Sequence, residues 1–260
     1  MRFDRFVKEA MPRLPSKRTL ITGGTSGIGL ETAHQFLSEG AHVVVTGSSA
    51  ESVAQAQREF GSDVLALQVD SSSVADQRRL AATLKEHYGQ LDVAFINAGI
   101  SIWQPMEAWT EDNFDRVFAT NVKGPYFLIQ ALLSTFADPA SVILCSSAFA
   151  HIGVPRTSVC SATKAALLSL TRTLSSELIA RNVRFNAISP GPIDTPMFDR
   201  IGLAEHARDQ AILEVVSRIP TKRLGRTEDV ANAAVFLASN ESTWTIGSEI
   251  AVDGGRLLNA

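Results

Sequence analysis

The chain has 260 residues, 45% hydrophobic and 20% charged, with a formal net charge of -3. That balance suits one compact globular domain and offers no basic patch for nucleic acid or an anionic membrane. No apolar run reaches the ~18 residues of a membrane span, and two cysteines, Cys145 and Cys160, make no disulfide framework, so a reducing, cytoplasmic setting is expected.

Residues 1–16 lack the uninterrupted apolar stretch of a signal peptide and read as a short N-terminal extension to a single domain over 17–260. Arg18 to Thr22 is a β-type run, followed by Gly23, Gly24, Thr25, Ser26, Gly27, Ile28 and Gly29. Leu30, Ala33, Phe36 and Leu37 then recur at helical spacing up to Gly40. Strand, glycine loop and helix is the order that turns backbone N–H groups and a helix N-terminus toward a pyrophosphate. The spacing is Gly-x-x-x-Gly-x-Gly, not the Gly-x-Gly-x-x-Gly of the general dinucleotide fingerprint.

Ala41 to Thr46 reads as the second strand. An acid at its end would hold the ribose 2′-hydroxyl of NAD and repel the 2′-phosphate of NADP. Thr46, Gly47, Ser48 and Ser49 supply no acid and no Arg. Ser48 and Ser49 can donate to a phosphate, or simply form a turn and helix cap. NADP is therefore expected over NAD.

A helix over Ser52 to Phe60 and a strand over Val64 to Leu67 follow, the latter ending at Asp70-Ser71 before a helix through Leu80 and Leu84. Leu91 to Ile96 is the fourth strand, closed by Asn97-Ala98-Gly99. Thr110-Glu111-Asp112 starts a helix whose buried face is expected at Phe114, Val117 and Phe118. Asn121 lies inside it, and Pro125, four residues on, has no N–H for the Asn121 carbonyl. That carbonyl is then free for a water.

Ser141 to Leu144 is a buried strand leading to Cys145-Ser146-Ser147, and the helix after it runs to about Ala180. Residues four apart share a helical face, so Cys160 and Lys164 are neighbours, with Ser147 able to stand opposite them. Arg184 to Ile188 is the sixth strand, followed by Pro190-Gly191-Pro192-Ile193-Asp194-Thr195. Met197 to Ile219 is mixed apolar and charged, Thr227-Glu228-Asp229 opens the last long helix, and Glu249 to Val252 is the seventh strand. The alternation predicts an α/β fold of Rossmann type, a doubly wound parallel sheet of about seven strands with helices on both faces. Ligands of such sheets lie at the carboxyl ends of the strands.

From about Lys17 onward these ordered motifs resemble the short-chain dehydrogenase/reductase family. Thr22, Gly23, Gly27 and Gly29 match its Thr-Gly-x-x-x-Gly-x-Gly, and Ile96-Asn97-Ala98-Gly99 its Asn-Asn-Ala-Gly. Asn121-Val122-Lys123-Gly124 and the Pro190-Gly191 loop match too. Ser147 and Lys164 fall on the family's catalytic Ser and Lys, but Cys160 stands where the family has Tyr. The resemblance implies an NAD(P)-dependent oxidoreductase moving a hydride between nicotinamide and a secondary alcohol or ketone. It implies a catalytic set of Asn121, Ser147, Cys160 and Lys164, with Asn121 holding a water that reaches Lys164. It puts the cofactor on Gly23, Thr25, Ser26, Gly27, Ile28, Gly29, Asp70, Ser71, Asn97, Ala98, Gly99, Lys164, Pro190, Gly191, Ile193 and Thr195. An Asp at the Asp70 position would line the adenine pocket; the alternative is an N-cap. It further implies a lid over about 196–219 and a homo-oligomer (tetramer or dimer); no metal site is expected, and composition and hydropathy point to no nucleic acid or membrane partner.

Cys160 alters the chemistry expected of such a site. A phenol oxygen stands on the order of 3–4 Å further from the backbone than a thiol sulfur. Proton transfer is therefore expected to be impaired, or rerouted through a water or through His151. A cofactor-binding sensor without efficient catalysis is the alternative. Trp103, Phe149, Met197 and Phe198 are candidates for an apolar substrate pocket.

Overall fold

The computed structural model describes residues 11–197 and 205–259. Phe198 and residues 1–10 lie outside them, as does part of the expected lid. Seven strands form one parallel sheet: β1 (Arg18–Ile21), β2 (His42–Gly47), β3 (Val64–Gln68), β4 (Leu91–Ile96), β5 (Phe136–Cys145), β6 (Val183–Pro190) and β7 (Glu249–Val252). Their order across the sheet is β3-β2-β1-β4-β5-β6-β7. The order reverses between β1 and β4, and an α/β sheet opens a crevice for ligands where its order reverses.

The helices are α1 (Gly27–Ser38), α2 (Ala50–Phe60), α3 (Val74–Tyr88), α4 (Glu111–Phe118), α5 (Gly124–Leu132), α6 (Ser158–Leu178), α7 (Glu205–Ser217) and α8 (Thr227–Ala238). Successive strand residues point to opposite faces, so each central strand feeds two cores. In β4, Val93 and Phe95 join a cluster with Phe36 of α1 and Val235 of α8. Leu91, Ala94 and Ile96 join the opposite cluster, with Leu84 of α3, Leu128 of α5 and Leu167 of α6. Fully burying a side chain such as Phe95 contributes roughly 1.5–3 kcal/mol. Because both faces are covered, the central strands read as unbroken apolar runs.

Residues 11–16 are joined to this body. Leu14 is fully buried, and Leu14 and Ser16 donate their N–H groups to the carbonyls of Glu39 and Gly40. Two expectations need correction. Asp70 does not cap α3: its carboxylate accepts from Ser72 N–H and Ser72 Oγ, and Ser73 is the cap, accepting from Asp76 N–H. A short acidic side chain reaches its own backbone two residues on more easily than the helix start. Phe114 is 43% exposed, stacked on Phe118 at 4.6 Å, and Val117 alone of α4 is buried. This eight-residue helix has only one narrow side against the body.

Candidate active site

The glycine loop after β1 is shaped by close backbone approach. Gly23 and Gly27 have φ of 64° and 55°, which side-chain-bearing residues rarely adopt. A Cβ on Gly29 would stand 2.2 Å from the Gly23 carbonyl oxygen and 2.7 Å from Asn97 Nδ2. Thr25 closes over β2, where a Cβ on Gly47 would meet it at 2.7 Å. Ser26 precedes α1 in an extended conformation, and its side chain makes no cap hydrogen bond. The starts of α2, α3 and α4, by contrast, are capped by Ser49, Ser73 and Thr110. An N-terminus left with free N–H groups beside a glycine cradle fits a pyrophosphate, and so fits NAD(P).

Asn97 ties the crevice together. Its N–H and that of Ala98 donate to Thr22 Oγ1 at 2.9 and 3.0 Å, and its Nδ2 donates to the carbonyls of Thr22 and Gly23. Gly99 is closely bordered: a Cβ there would lie 3.3 Å from Asn121 Oδ1 and 3.6 Å from Lys164 Nζ. Further along the edge, Thr195 borders Gly27, a Cβ on which would meet its Cγ2 at 3.4 Å. Ile193 is buried and bridges to Gly225. Pro190 ends β6, and Gly191 N–H donates to the Val252 carbonyl. The structure therefore brings the first-strand, fourth-strand and sixth-strand loops to one edge.

Ser48 and Ser49 follow β2. Ser49 Oγ accepts from Ser52 N–H, and Gln68 Nε2 donates to the Ser48 carbonyl. On the other side of β2, the Ser71 carbonyl takes the side-chain amide of Gln77 at 3.0 Å.

Asn121 sits in a π-helical turn, Ala119–Lys123, between α4 and α5. Pro125 removes an N–H there, and the chain widens by one residue per turn. The Asn121 side chain is 1% exposed and clasps the segment after Gly99. Its Oδ1 accepts from Ile100 N–H at 2.9 Å, and its Nδ2 donates to the Ile100 carbonyl and to Thr163 Oγ1.

Lys164, one turn after Cys160 on α6, donates from Nζ to the Cys145 carbonyl at 2.7 Å. Ser146 Oγ returns a bond to the Lys164 carbonyl. These two bonds hold the end of β5, and with it Ser147, against α6. Ser147 Oγ accepts from Phe149 N–H at 3.2 Å, which leaves its own proton to donate. Burial pushes the Cys145 thiol up, with the Lys164 charge acting the other way.

Cys160 is turned toward the segment after β4. Its Sγ lies 3.3 Å from both the N and the O of Ile102, and 3.6 Å from Ser101 Oγ. Ser101 and Ile102 had no mark in the sequence beyond following Asn97-Ala98-Gly99. Thr163, which holds Asn121, and the Cys145 carbonyl, which holds Lys164, were equally unmarked. His151 has another partner: its Nε2 lies 2.7 Å from Glu249 Oε1, an oxygen that also accepts from Ser189 Oγ. Trp103 and Phe149 face one another with ring centroids 5.7 Å apart, and Met197 is 48% exposed.

Comparison with known proteins agrees with this geometry. A family profile described as Enoyl-(Acyl carrier protein) reductase matches residues 23–256. An oxidoreductase of Sarocladium schorii is 36% identical over 248 residues, covering 95% of this chain and 98% of that one. A short-chain dehydrogenase/reductase of Pestalotiopsis microspora is 34% identical, over 94% of this chain and 96% of its own. A 3-oxoacyl-(acyl-carrier-protein) reductase of Thermotoga maritima is 35% identical, over 95% of this chain and all of its own. The chain belongs to the short-chain dehydrogenase/reductase family, whose work is NAD(P)-dependent oxidoreduction of small molecules.

Proposed function

We propose that this protein interconverts a small secondary alcohol and its ketone, with NADP preferred over NAD. The supporting observation is that Lys164, Cys160 and Asn121 border Gly99 and the segment after it, while Lys164 also holds the end of β5 that leads to Ser147. The names of two relatives, a 3-oxoacyl reductase and a sorbitol dehydrogenase, describe carbonyl and carbinol chemistry of this kind.

Bound NAD(P) supplies or accepts the hydride. Ser147 donates its free hydroxyl proton to the substrate oxygen and so orients the carbonyl carbon. Lys164 has two N–H donors beyond the one on Cys145, enough to hold a ribose hydroxyl and a water. Asn121 steadies the wall behind Gly99. Trp103, Phe149 and Met197 offer apolar surface, which favours a substrate with an apolar body. The family's phenol is replaced by a thiol, so the proton takes a different route from that of a tyrosine enzyme.

NADP is favoured because the turn from Gly47 to Ser49 carries no carboxylate and opens directly into α2. A 2′-phosphate there meets hydroxyls and a helix N-terminus. A homo-oligomer, dimer or tetramer, is favoured by an open cavity of about 810 Å³ between α4, α5 and α6, lined by Phe118, Val122, Tyr126, Phe127, Ala166 and Leu170. Two free, buried cysteines suit a cytoplasmic setting. No helix among the described residues is long and apolar enough to cross a membrane.

The test is a panel of ketones and alcohols with NADPH and NADH, alongside fluorescence titration of both cofactors. Turnover with tighter NADPH binding is expected. No turnover with any pair overturns the alcohol/ketone reading, and tighter NADH binding overturns the cofactor preference.

A further inference from the structure

We propose that Ser101 is a catalytic residue, the terminal proton donor of a relay running from Cys160 to the substrate oxygen. The proposal rests on the alcohol/ketone reading above. A thiol at position 160 falls on the order of 3–4 Å short of where a phenol oxygen would stand. Ser101 Oγ lies 3.6 Å from Cys160 Sγ, so the hydroxyl supplies the missing reach. Cys160 is itself only 5% exposed, too covered to meet a substrate, whereas Ser101 is half-buried.

The hydrogen bonding around Ser101 suits a relay. The Trp103 indole N–H donates to Ser101 Oγ at 2.8 Å. An indole nitrogen only donates, so it occupies one lone pair and leaves Ser101 a second; the hydroxyl proton, which donates to Cys160 Sγ here, has to turn toward the substrate for the relay to run. The second lone pair can take the thiol proton while the hydroxyl proton goes to substrate. The Trp103 ring packs on Phe149, two residues past Ser147, so the segment carrying Ser101 faces the loop that carries the substrate-orienting hydroxyl.

In the reductive direction the carbonyl carbon receives a hydride from bound NAD(P)H. The C=O π pair then takes the Ser101 proton, and Ser101 Oγ takes the proton of Cys160. That proton first swings away from the Ile102 carbonyl, 3.3 Å from Sγ. The S–H bond breaks and its electron pair stays on sulfur as a thiolate. The Ile102 N–H, also 3.3 Å away, points at that charge. Between turnovers the half-buried Ser101 passes a solvent proton back to the sulfur, and alcohol oxidation runs the same steps backwards.

The experiment compares wild type, Ser101→Ala, Ser101→Thr, Cys160→Ala and the double alanine variant. The first measurement needs no cofactor: the infrared S–H band of Cys160, assigned by its loss in Cys160→Ala. It should move in Ser101→Ala and return in Ser101→Thr. The second is single-turnover ketone reduction with NADPH. Ser101→Ala should slow it about 10²–10⁴-fold, the usual worth of positioned proton transfer, at unchanged NADPH affinity. Ser101→Thr should recover most of the rate, and the double variant should be no slower than the slower single one, because the two residues act as a unit. The wild-type rate in mixtures of light and heavy water should bend with deuterium fraction, as two protons in flight require.

An unmoved band, or a Ser101→Ala rate equal to wild type, overturns the relay while leaving the alcohol/ketone reading intact. If Ser101→Ala fails to bind NADPH, the wild-type solvent series decides, and a straight line there overturns the relay. A wild type that reduces no ketone removes the reading and the relay together.

Discussion

A cysteine and a tyrosine in the first turn of α6 differ in volume as well as in reach. The expectation from the motif alone is that Cys160→Tyr would restore a missing phenol and raise kcat about 10²–10⁴-fold. The structure changes that expectation. The backbone of Ile102 lies 3.3 Å from Sγ on two atoms, and Ser101 lies just beyond. A phenol ring has to displace this segment, and overpacking of that kind costs roughly 1–3 kcal/mol. Cys160→Tyr is therefore expected to melt earlier than wild type and to gain far less than the full factor in kcat. Thermal unfolding and kcat on one ketone check both halves; a stable variant with a 10³-fold gain would show that the segment yields freely. The motif made Lys164 and Ser147 legible because their spacing from position 160 is fixed by one strand end and one helix. It could not reveal Ser101 and Ile102, which reach Cys160 from 59 and 58 residues away through the docking of a loop with no periodicity.

At the scale of elements, β1 and β4 lie side by side at the sheet's centre and are lashed together at their starts. Arg18 Nε and Nη2 bond the two oxygens of Asp92 at 2.7 and 3.0 Å, and Arg18 N–H adds a third bond at 2.8 Å. Burial pushes the Asp92 carboxyl up, but the Arg18 hydrogen bonds and charge outweigh it and hold the group below the usual carboxylate range. A carboxyl depressed in the folded state stabilises the fold above its unfolded pKa, about 3.9, and that stability is lost as pH falls through the folded value. Asp92→Asn should cost about 1.5–3 kcal/mol at neutral pH, the range for hydrogen bonds to charged groups. The gap to wild type should narrow below about pH 4, so urea unfolding of both forms across that window is the check. A gap independent of pH would mean that the charge contributes nothing.

The π-helical turn is seated tightly where it leads into α5. A Cβ on Gly124 would fall 1.7 Å from the Ser71 carbonyl oxygen, so the start of α5 and the turn after β3 touch backbone to backbone. Gly124→Ala should destabilise the protein by about 1–3 kcal/mol by overpacking. It should also weaken NADPH binding, because Ser71 and Asp70 move with the turn. Urea unfolding and a fluorescence titration read the two effects; unchanged stability would mean the turn can shift without cost. Pro125 made a break in this helix legible from composition. It did not say that the chain would widen into a π-turn, nor that Thr163 would anchor Asn121, because both follow from how α6 packs against α4.

For the whole molecule, the doubly wound sheet was legible because strands covered on both faces read as continuous apolar runs, and helical stripes alternate with them. What such patterns do not encode is which outer faces stay uncovered. Phe114 carries the spacing of a buried residue yet is 43% exposed, and Tyr126 on α5 is 41% exposed. Phe114 stacks on Phe118, which lines the cavity between α4, α5 and α6 together with Tyr126, and among the described residues this apolar face is left open. If a second copy covers that face, Tyr126→Glu removes a buried aromatic from each side of the contact. One such side chain is worth about 2 kcal/mol, so a two-fold interface loses about 4 kcal/mol and association weakens roughly 10³-fold. Light scattering should then find a smaller species for Tyr126→Glu than for wild type at equal concentration. Because Tyr126 is exposed in the single chain, circular dichroism of the variant should remain that of a folded α/β protein. A wild type that is monomeric throughout the range, or a variant of undiminished mass, would leave this face to some occupant other than a second copy.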